Sequence, residues 1–256
     1  MGTIFITGSS TGLGLAAAQT LLADGHAVIL HARNAERADA LRREVPNAAA
    51  VVIGDLSLLS EVRSVAEQVN GSGRVDAVVH NAGLYGETGQ GRTAEGYSLM
   101  TAVNILAPYA LTALIERPDR LVYMSSGLHR GGSSGLDDID WTKRRWQASQ
   151  AYADTKLQIV ALALAVARYW PDTLSNAVDP GWVRTRMGGA SAPVDIQTGQ
   201  ATQSWLAGSE DEAARTSGGY WHAMQRETPS GPVADPDYQD RLIAELARLT
   251  SIPLER

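Results

Sequence analysis

The amino-acid sequence predicts an α/β protein, in which a doubly wound parallel sheet carries helices on both faces within a single domain. Short runs of apolar and β-branched residues alternate with amphipathic segments along the 256 residues, which is the pattern of βαβ units with right-handed crossovers. The short runs are continuously apolar, as in strands covered on both faces. A glycine-rich turn joins the first of these runs to the first amphipathic segment.

The predicted elements follow one another at the spacing of βα units. Strands are predicted at 3–7, 27–30, 50–53, 75–80, 120–124 and 174–178, with a last strand at 218–221. Helices are predicted at 13–23, 36–44, 58–69, 95–115, 150–170 and 238–249. Two segments rich in small residues, about 127–149 and 187–203, are predicted to be substrate-binding loops. No linker or repeat divides the chain, so we expect residues 1–256 to form one domain.

The composition excludes several classes of function. Without cysteine, the chain forms no disulfide, cysteine-based zinc site or iron–sulfur cluster. A formal net charge of −6 and the lack of a basic stripe argue against nucleic-acid binding. The longest apolar stretch, 159–167, is about half the ~20 residues that a membrane span requires. We therefore expect a cytoplasmic protein with no metal, nucleic-acid or membrane partner.

The turn after the first predicted strand reads Thr7-Gly8-Ser9-Ser10-Thr11-Gly12-Leu13-Gly14. Glycine lets the backbone turn tightly and approach a pyrophosphate, to which the following helix offers free N–H groups and a partial positive charge. We predict a Rossmann-type dinucleotide site that is formed by Gly8, Gly12 and Gly14, with Ser10, Thr11 and Leu13 between them. A second register, which starts at Gly12, also fits the fingerprint but leaves four loop residues after the strand. No Walker A lysine follows, which disfavours an NTPase.

The end of the second predicted strand indicates which dinucleotide is bound. An NAD site usually places a carboxylate there, on the ribose 2′-hydroxyl. This chain has Arg33 and Asn34 instead, with no acid until Glu36. Because a guanidinium would pair with a 2′-phosphate, we predict that NADP(H) is favoured over NAD(H). The alternative is that Arg33 only opens the next helix.

A tyrosine and a lysine are spaced to converge on one face of a later helix. Lys156 is one of only two lysines in a chain with twenty arginines, and it stands four residues after Tyr152. Four residues is about one helical turn, so the two side chains share a face. An ammonium beside a phenol favours the phenolate and is expected to lower the tyrosine pKa. The pair is therefore a candidate proton donor and acceptor.

The glycine turn and the Tyr152/Lys156 pair together resemble the motifs of the short-chain dehydrogenase/reductase family in its single-domain form. Further motifs resemble those of that family and occur in its order. They are Gly54-Asp55-Leu56 after the third strand, Asn81-Ala82-Gly83 after the fourth, Asn104 before the fifth, Ser126 at its end, and Pro180-Gly181-Trp182-Val183-Arg184-Thr185 after the sixth. The long interval from Ser126 to Tyr152, together with His129, is similar to the retinol-dehydrogenase-like and protochlorophyllide-reductase-like branch. Thr155 and His80 depart from the usual Ser and Asn of the family.

The resemblance implies an oxidoreductase that interconverts a carbonyl and an alcohol on a small, apolar or ring-containing substrate. It implies that Tyr152 is the general acid/base, Lys156 lowers its pKa and binds the nicotinamide ribose, Ser126 polarises the carbonyl, and Asn104 orders a water. It also implies cofactor contacts at Asp55, Leu56, Asn81, Ala82, Gly83, Tyr152, Lys156, Pro180, Gly181, Val183 and Thr185.

Other interpretations of single residues stay open at this point. Ser126 could cap its own loop, Asn104 could cap or kink its helix, Asp55 could be a plain N-cap, and a lone loop histidine such as His129 is more often incidental. As a whole, the chain could be a non-catalytic NADP(H)-binding redox sensor, although such a protein usually loses Tyr, Lys or Ser. The apolar helices around 105–115 and 159–167 either pack on the sheet or pair with a second copy, and from the latter we expect a homodimer or homotetramer.

Overall fold

A computed structural model, which describes residues 1–86 and 91–256, contains one sheet of eight strands within those residues. The strands are β1 (Thr3–Ile6), β2 (Ala27–Ala32), β3 (Ala50–Ile53), β4 (Ala77–His80), β5 (Arg120–Met124), β6 (Leu174–Asp179), β7 (Gly219–His222) and β8 (Gln225–Glu227). Their order in the sheet is β3-β2-β1-β4-β5-β6-β7-β8. All neighbours are parallel except β7 and β8. The strand order reverses between β1 and β4, which is the topological switch point where doubly wound folds bind ligands.

Helices pack on both faces of this sheet, which confirms the predicted fold class. In the described part of the chain they are α1 (Gly12–Ala23), α2 (Ala35–Glu44), α3 (Leu59–Gly71), α4 (Leu99–Thr101), α5 (Ala107–Leu114), α6 (Ala148–Tyr169), α7 (Ile196–Gly208) and α8 (Pro236–Thr250). Side chains alternate along β1, so that Phe5 joins the apolar layer under α3, α5, α6 and α8. Ile4 and Ile6 join the opposite layer, under α1, α2 and α7.

The helix predicted at 95–115 is shorter and contains a distortion. It begins at Leu99, because Ser98 caps it by accepting a hydrogen bond from the Thr101 N–H at 3.3 Å. Between α4 and α5 the chain forms one π-helical turn, Ala102–Leu106. Such turns widen a helix locally and occur often at functional sites. Asn104 lies within this turn.

Two elements near the end of the chain differ from the prediction. The loop predicted at 187–203 ends at Asp195, because α7 starts at Ile196 and packs on α1. Gly199 of this helix fits so closely that an added Cβ would lie 2.6 Å from Val183. Strand β8 was not predicted, and it joins β7 through Ala223 and Met224, both at positive φ.

The C-terminal helix α8 covers the apolar outer face of α6. Tyr238, Leu242 and Leu246 of α8 are almost fully buried. The segment after α8 adds two hydrogen bonds, from Tyr109 Oη to the Ile252 carbonyl at 2.8 Å and from Trp170 Nε1 to the Glu255 carbonyl at 2.7 Å. Packing within one chain therefore accounts for much of the apolar character of α5 and α6, and the homodimer or homotetramer stays a prediction.

In the part of the chain that the structure describes, no helix has the length and the apolar character needed to cross a membrane.

Candidate active site

Most predicted site residues lie in the loops that follow β1 to β6, at the start of α1 and on α6, and Asn104 lies in the π-helical turn before α5. Because these strands are parallel, their carboxyl ends meet at one edge of the sheet. The edge thus brings the glycine turn, the Asn81-Ala82-Gly83 turn, Ser126 and the Pro180–Thr185 segment together. Helix α6 adds Tyr152 and Lys156 from the face beside β5.

The glycine turn after β1 has the geometry of a phosphate-binding loop. Gly8 and Gly12 take positive φ values of 62° and 59°, which favour glycine. At Gly14 an added Cβ would lie 2.5 Å from Asn81 Nδ2 and 2.7 Å from the Gly8 carbonyl oxygen. These contacts support the register Gly8/Gly12/Gly14 rather than the one that starts at Gly12.

The start of α1 fits the pyrophosphate of a dinucleotide. Thr11 occupies the N-cap position without a side-chain hydrogen bond to the helix, so the first-turn N–H groups can bind an anion. The Thr185 side chain lies 3.8 Å from where a Cβ of Gly12 would be. The residues present therefore fit the cofactor that the motif implies.

Tyr152 and Ser126 form the centre of the site. Both lie where the end of β5 meets α6. The Ser126 hydroxyl accepts the Leu128 N–H at 3.2 Å, and its interaction with the Tyr152 phenol acts to lower the tyrosine pKa, against the larger effect of burial. Tyr152 is almost fully buried, with 8% of its surface exposed. The Tyr85 ring packs edge-on against its ring, with 4.6 Å between the centroids. A substrate carbonyl that reaches this point meets two hydroxyl groups together.

Lys156 lies beside Tyr152 but donates its hydrogen bond elsewhere. Its Nζ is 2.7 Å from the Met124 carbonyl oxygen and 5.4 Å from the centroid of the Tyr152 ring. Burial lowers the pKa of Lys156 to about 8 and raises the pKa of Tyr152 to about 12. The lowering of the tyrosine pKa by Lys156 that the sequence predicts is not found in this structure, where burial of the phenol is the main cause of the shift and acts in the opposite direction.

Asn104 ties the π-helical turn to the loop after β4. Its Oδ1 accepts the Leu84 N–H at 2.8 Å, and its Nδ2 donates to the Leu84 carbonyl at 3.0 Å and to Thr155 Oγ1 at 3.1 Å. A Cβ at Gly83 would be 3.6 Å from both Asn104 Oδ1 and Lys156 Nζ. The structure thus brings together all four residues that were predicted to be catalytic.

Comparisons with known proteins agree with this geometry. A family model described as short chain dehydrogenase matches residues 2–127. The short-chain dehydrogenase chry4 of Gibberella zeae is 38% identical over 258 residues, which cover 99% of this chain and 99% of its own length. The chain belongs to the short-chain dehydrogenase/reductase family. It is accordingly an NAD(P)-dependent oxidoreductase.

Two further relatives place this short-chain dehydrogenase/reductase within the family. Retinol dehydrogenase 13 of Homo sapiens is 27% identical and covers 98% of this chain and 85% of its own length, which confirms the retinol-dehydrogenase-like branch. DnrU of Streptomyces sp. (strain C5), a candidate daunorubicin C-13 ketoreductase by its name, is 32% identical and covers 91% of this chain and 87% of its own length. A solved structure from Mycobacterium paratuberculosis shares the fold with a TM-score of 0.87 at 24% identity, covering 100% of this chain and 96% of that one.

One residue that the sequence did not point to, His31 at the end of β2, joins two loops of the dinucleotide site. Its Nδ1 accepts the Gly8 N–H at 3.0 Å, so its Nε2 donates to the Gly54 carbonyl at 2.9 Å. Burial is the main cause that lowers the pKa of His31. No spacing rule marks this residue, because its partners lie 23 positions away on either side.

His129, which the sequence left open as incidental, supports the Ser126 loop. Its Nδ1 donates to the Ser126 carbonyl at 2.8 Å, and its Nε2 accepts the Ser230 N–H at 3.0 Å. The fully buried ring packs on Tyr220, with 4.5 Å between the centroids. Desolvation is the main cause that lowers the pKa of His129. Its role is therefore to position the backbone of Ser126.

Asp179, the last residue of β6, is a third residue that the sequence did not single out. Its Oδ1 accepts the Gly181 N–H at 2.9 Å and its Oδ2 accepts the Tyr220 hydroxyl at 3.2 Å. Strand pairing brings it beside the end of β5, where the Ser125 N–H donates to the Val178 carbonyl at 2.6 Å. A Cβ at Gly127 would lie 3.1 Å from Asp179 Oδ2. This short-chain dehydrogenase/reductase thus carries a carboxylate directly behind its Ser126 loop.

The remaining predicted cofactor residues occupy the same edge of the sheet. Arg33 is exposed after β2, and Asn34 caps α2 by accepting the Arg37 N–H at 3.0 Å. Asp55 accepts the Ser57 N–H at 2.9 Å within the loop after β3, while α3 itself is capped at Leu58. Asn81 Nδ2 donates to the carbonyls of Thr7 and Gly8 at 3.0 and 3.2 Å, which shows that it braces the glycine turn.

Proposed function

We propose that this protein is an NADP(H)-dependent carbonyl reductase in which Tyr152 transfers a proton to the substrate oxygen. The observation that carries the proposal is the convergence of Ser126, Tyr152, Lys156 and Asn104 at the carboxyl edge of the sheet, where Lys156 bonds the end of β5 and Asn104 bonds Thr155 of α6. A raised tyrosine pKa suits proton donation, because the phenol stays protonated at neutral pH. The rival function, a non-catalytic sensor, would not require the four catalytic residues to converge as they do.

Each residue has a distinct part in the proposed reaction. The Ser126 hydroxyl donates a hydrogen bond to the carbonyl oxygen and polarises it. Tyr152 Oη gives its proton to the same oxygen as the alcohol forms. Lys156 is proposed to bind the nicotinamide ribose, and Asn104 is proposed to order water beside it. The nicotinamide cofactor, when bound, supplies the hydride.

Arg33 supports a preference for NADP(H). It follows β2, where the ribose of the dinucleotide is expected, and the nearest carboxylate along the chain is Glu36, inside α2. No ion pair of Arg33 with a carboxylate is present among residues 1–86 and 91–256. An exposed guanidinium in this position can bind a 2′-phosphate. Asn34 is proposed to contribute less, since its Oδ1 caps α2.

The rim of the site supports an apolar, ring-containing substrate. Large apolar side chains stand exposed in three successive loops at the site edge of the sheet, namely Tyr85 after β4, Leu128 after β5, and Trp182 and Met187 after β6. Exposed apolar groups on loops around one site suit the binding of an apolar ligand. The names of DnrU and retinol dehydrogenase 13 denote proteins that act on large ring-bearing molecules, and we propose that class here. A cytoplasmic location stays a prediction.

The decisive test is the oxidation of NADPH and NADH with a panel of ring-bearing ketones, aldehydes and quinones. We expect turnover with NADPH, and a loss of at least 10³-fold in the Tyr152→Phe variant with little change in NADPH affinity. The Tyr169→Phe variant, altered far from the site, is the control. Near-native turnover by Tyr152→Phe would refute the proton-transfer role.

Cofactor preference is tested by Arg33→Ala. We expect the KM for NADPH to rise roughly tenfold or more while the KM for NADH changes little, because only one of the two carries the 2′-phosphate. Arg37→Ala, on the exposed first turn of α2, is the matched control. A wild-type enzyme that prefers NADH would contradict the proposal.

A further inference from the structure

The chemistry of the site depends on which charges face Tyr152 and Lys156. Ser126 and Tyr85 contact Tyr152 and are neutral. Lys156 is on the same helix face, and its Nζ donates to the Met124 carbonyl of β5. Burial has the larger influence on the pKa of both residues, and the carboxylate of Asp179, at the end of the neighbouring strand β6, raises both pKa values.

Asp179 is fixed in place by backbone and side-chain donors. The Gly181 N–H and the Tyr220 hydroxyl donate to its two oxygens, and the carboxylate is only 13% exposed. Its other neighbours are His222, whose Nδ1 is 3.8 Å from Oδ2, and the neutral His129. The Arg130–Glu227 pair lies beyond Tyr220 and carries no net charge. No guanidinium forms an ion pair with Asp179 among the described residues.

The register of the sheet sets the carboxylate beside the reacting groups. Met124, whose carbonyl accepts from Lys156, pairs with Val178, so the next residue on each strand, Ser125 and Asp179, are neighbours too. The Asp179 carboxylate lies next to Gly127, since a Cβ at Gly127 would be 3.1 Å from its Oδ2. Gly127 directly follows Ser126, whose side chain interacts with Tyr152. Tyr152 and Lys156 are both almost fully buried, and charges interact more strongly in a buried site than in bulk water.

We propose that Asp179 biases this site towards carbonyl reduction, because its carboxylate keeps Lys156 as an ammonium and Tyr152 as a protonated phenol at neutral pH. The proposal rests on the proposed function. In reduction, Tyr152 must hold the proton that it gives to the carbonyl oxygen; in alcohol oxidation, it must first lose that proton to become the base. A negative charge nearby opposes the second state and favours the first.

The test that does not depend on turnover is an NMR titration of lysine labelled with ¹³C at Cε. The chain has only two lysines, and Lys143→Arg leaves Lys156 as the single signal. We expect a midpoint near pH 8, which moves down by about one unit in Asp179→Asn, the order of effect of one nearby buried charge. Asp179→Ser must reproduce the shift if Asp179→Asn folds poorly. An unchanged or higher midpoint overturns the proposal.

Two controls separate charge from packing. Asp119→Asn removes an equal charge at the opposite edge of the sheet, at the start of β5, and must leave the midpoint unchanged. Tyr220→Phe removes one hydrogen bond to Asp179 but keeps its charge, and must also leave the midpoint close to that of the wild type. A midpoint that falls in either control would show that packing, not the Asp179 charge, governs Lys156.

The second readout is the pH profile of turnover in both directions. In Asp179→Asn, alcohol oxidation should begin, and carbonyl reduction should decline, at a pH about one unit lower than in the wild type. A lysine shift without this change in the profiles would overturn the bias towards reduction. If neither the wild type nor any variant turns over a carbonyl or alcohol, the proposed function fails, whereas the lysine titration still decides the role of Asp179.

Discussion

The imidazole of His31 accepts the Gly8 N–H at 3.0 Å, and this bond ties the end of β2 to the glycine turn after β1. The opposite nitrogen donates to the Gly54 carbonyl after β3. One neutral side chain thereby sets the relative positions of three loops that are predicted to contact the cofactor. Since a protonated imidazole cannot accept a hydrogen bond, the arrangement requires the uncharged form.

His31→Leu is expected to weaken NADPH binding roughly tenfold. The change leaves a buried N–H and a buried carbonyl without their partner, at a cost of about 1–3 kcal/mol. Fluorescence titration with NADPH measures the effect. His26→Leu is the matched control, because His26 accepts the Gly2 N–H at 3.2 Å at the opposite edge of the sheet. Equal affinity in His31→Leu and the wild type would contradict the bracing role.

Gly14→Ala is expected to destabilise the fold by about 1–3 kcal/mol and to weaken NADPH binding. The added methyl group would lie 2.5 Å from Asn81 Nδ2 and 2.7 Å from a backbone oxygen, which cannot yield without moving the turn. Gly71→Ala, at the end of α3, meets nothing within 4 Å and should change stability by less than about 0.5 kcal/mol. Urea unfolding compares the two. Similar losses in both variants would show that the close approach is unimportant.

Acid stability should depend on His80. Its Nε2 hydrogen-bonds Thr112 at 3.1 Å, its buried Nδ1 has no partner, and burial lowers its pKa to about 3. The unfolded chain therefore binds a proton near pH 6.5 while the folded chain does not. The contribution of His80 to the free energy of unfolding is fully present above that pH. It is lost as the pH drops from about 6.5 towards 3, which lowers the free energy of unfolding by roughly 5 kcal/mol.

His80→Phe should flatten that dependence, because phenylalanine keeps the ring that stacks on Tyr123 at 4.7 Å but takes up no proton. The measurement is urea unfolding of both proteins between pH 4 and pH 8. His26→Phe, at a partly exposed histidine, should leave the slope unchanged. A His80→Phe variant with the same loss of stability in acid as the wild type would assign the dependence to other groups.

The packing of α8 favours a monomer over the predicted homodimer or homotetramer. Helix α8 and the chain after it cover the apolar faces of α5 and α6 through Tyr238, Leu242 and Leu246, so those faces have little apolar surface left for a second copy. Light scattering should give the mass of one chain at micromolar concentration. Leu242→Asp should expose this surface and cause self-association, whereas Arg241→Ala on the outer side of α8 should not. A stable dimer of the wild-type chain would restore the original expectation.

Much of the fold could be predicted because it depends on local patterns. Apolar runs and helical spacing predicted β1 to β7, and the glycine turn and Tyr152/Lys156 are short motifs whose chemistry follows from their spacing. Strand β8 was missed because its turn, Ala223-Met224, lacks the Asn or Gly that usually signals positive φ. Helix α7 was taken for a loop because Gly199 and its small neighbours resemble a flexible segment, whereas they are small to fit against Val183.

The supporting residues of the site could not be predicted for a different reason. His31, His129 and Asp179 act through partners that are remote in the chain, so no spacing marks them. The raised pKa of Tyr152 could not be predicted from the sequence either. Tyr152 and Lys156 do share a helix face, but the burial that raises the pKa of Tyr152 depends on the whole fold.

The hydrogen bond from the Ser230 N–H to His129 makes the Ser126 loop depend on a late segment of the chain. His129, which bonds the Ser126 carbonyl, is itself held by Ser230, which lies 101 positions later in the chain. Because a domain generally folds as one unit, we expect the site to be completed only after the segment that contains Ser230 has emerged. The Ser126 loop gains this support only after Ser230 has been synthesised. Proteolytic removal of the segment that contains Ser230 is therefore expected to loosen the Ser126 loop.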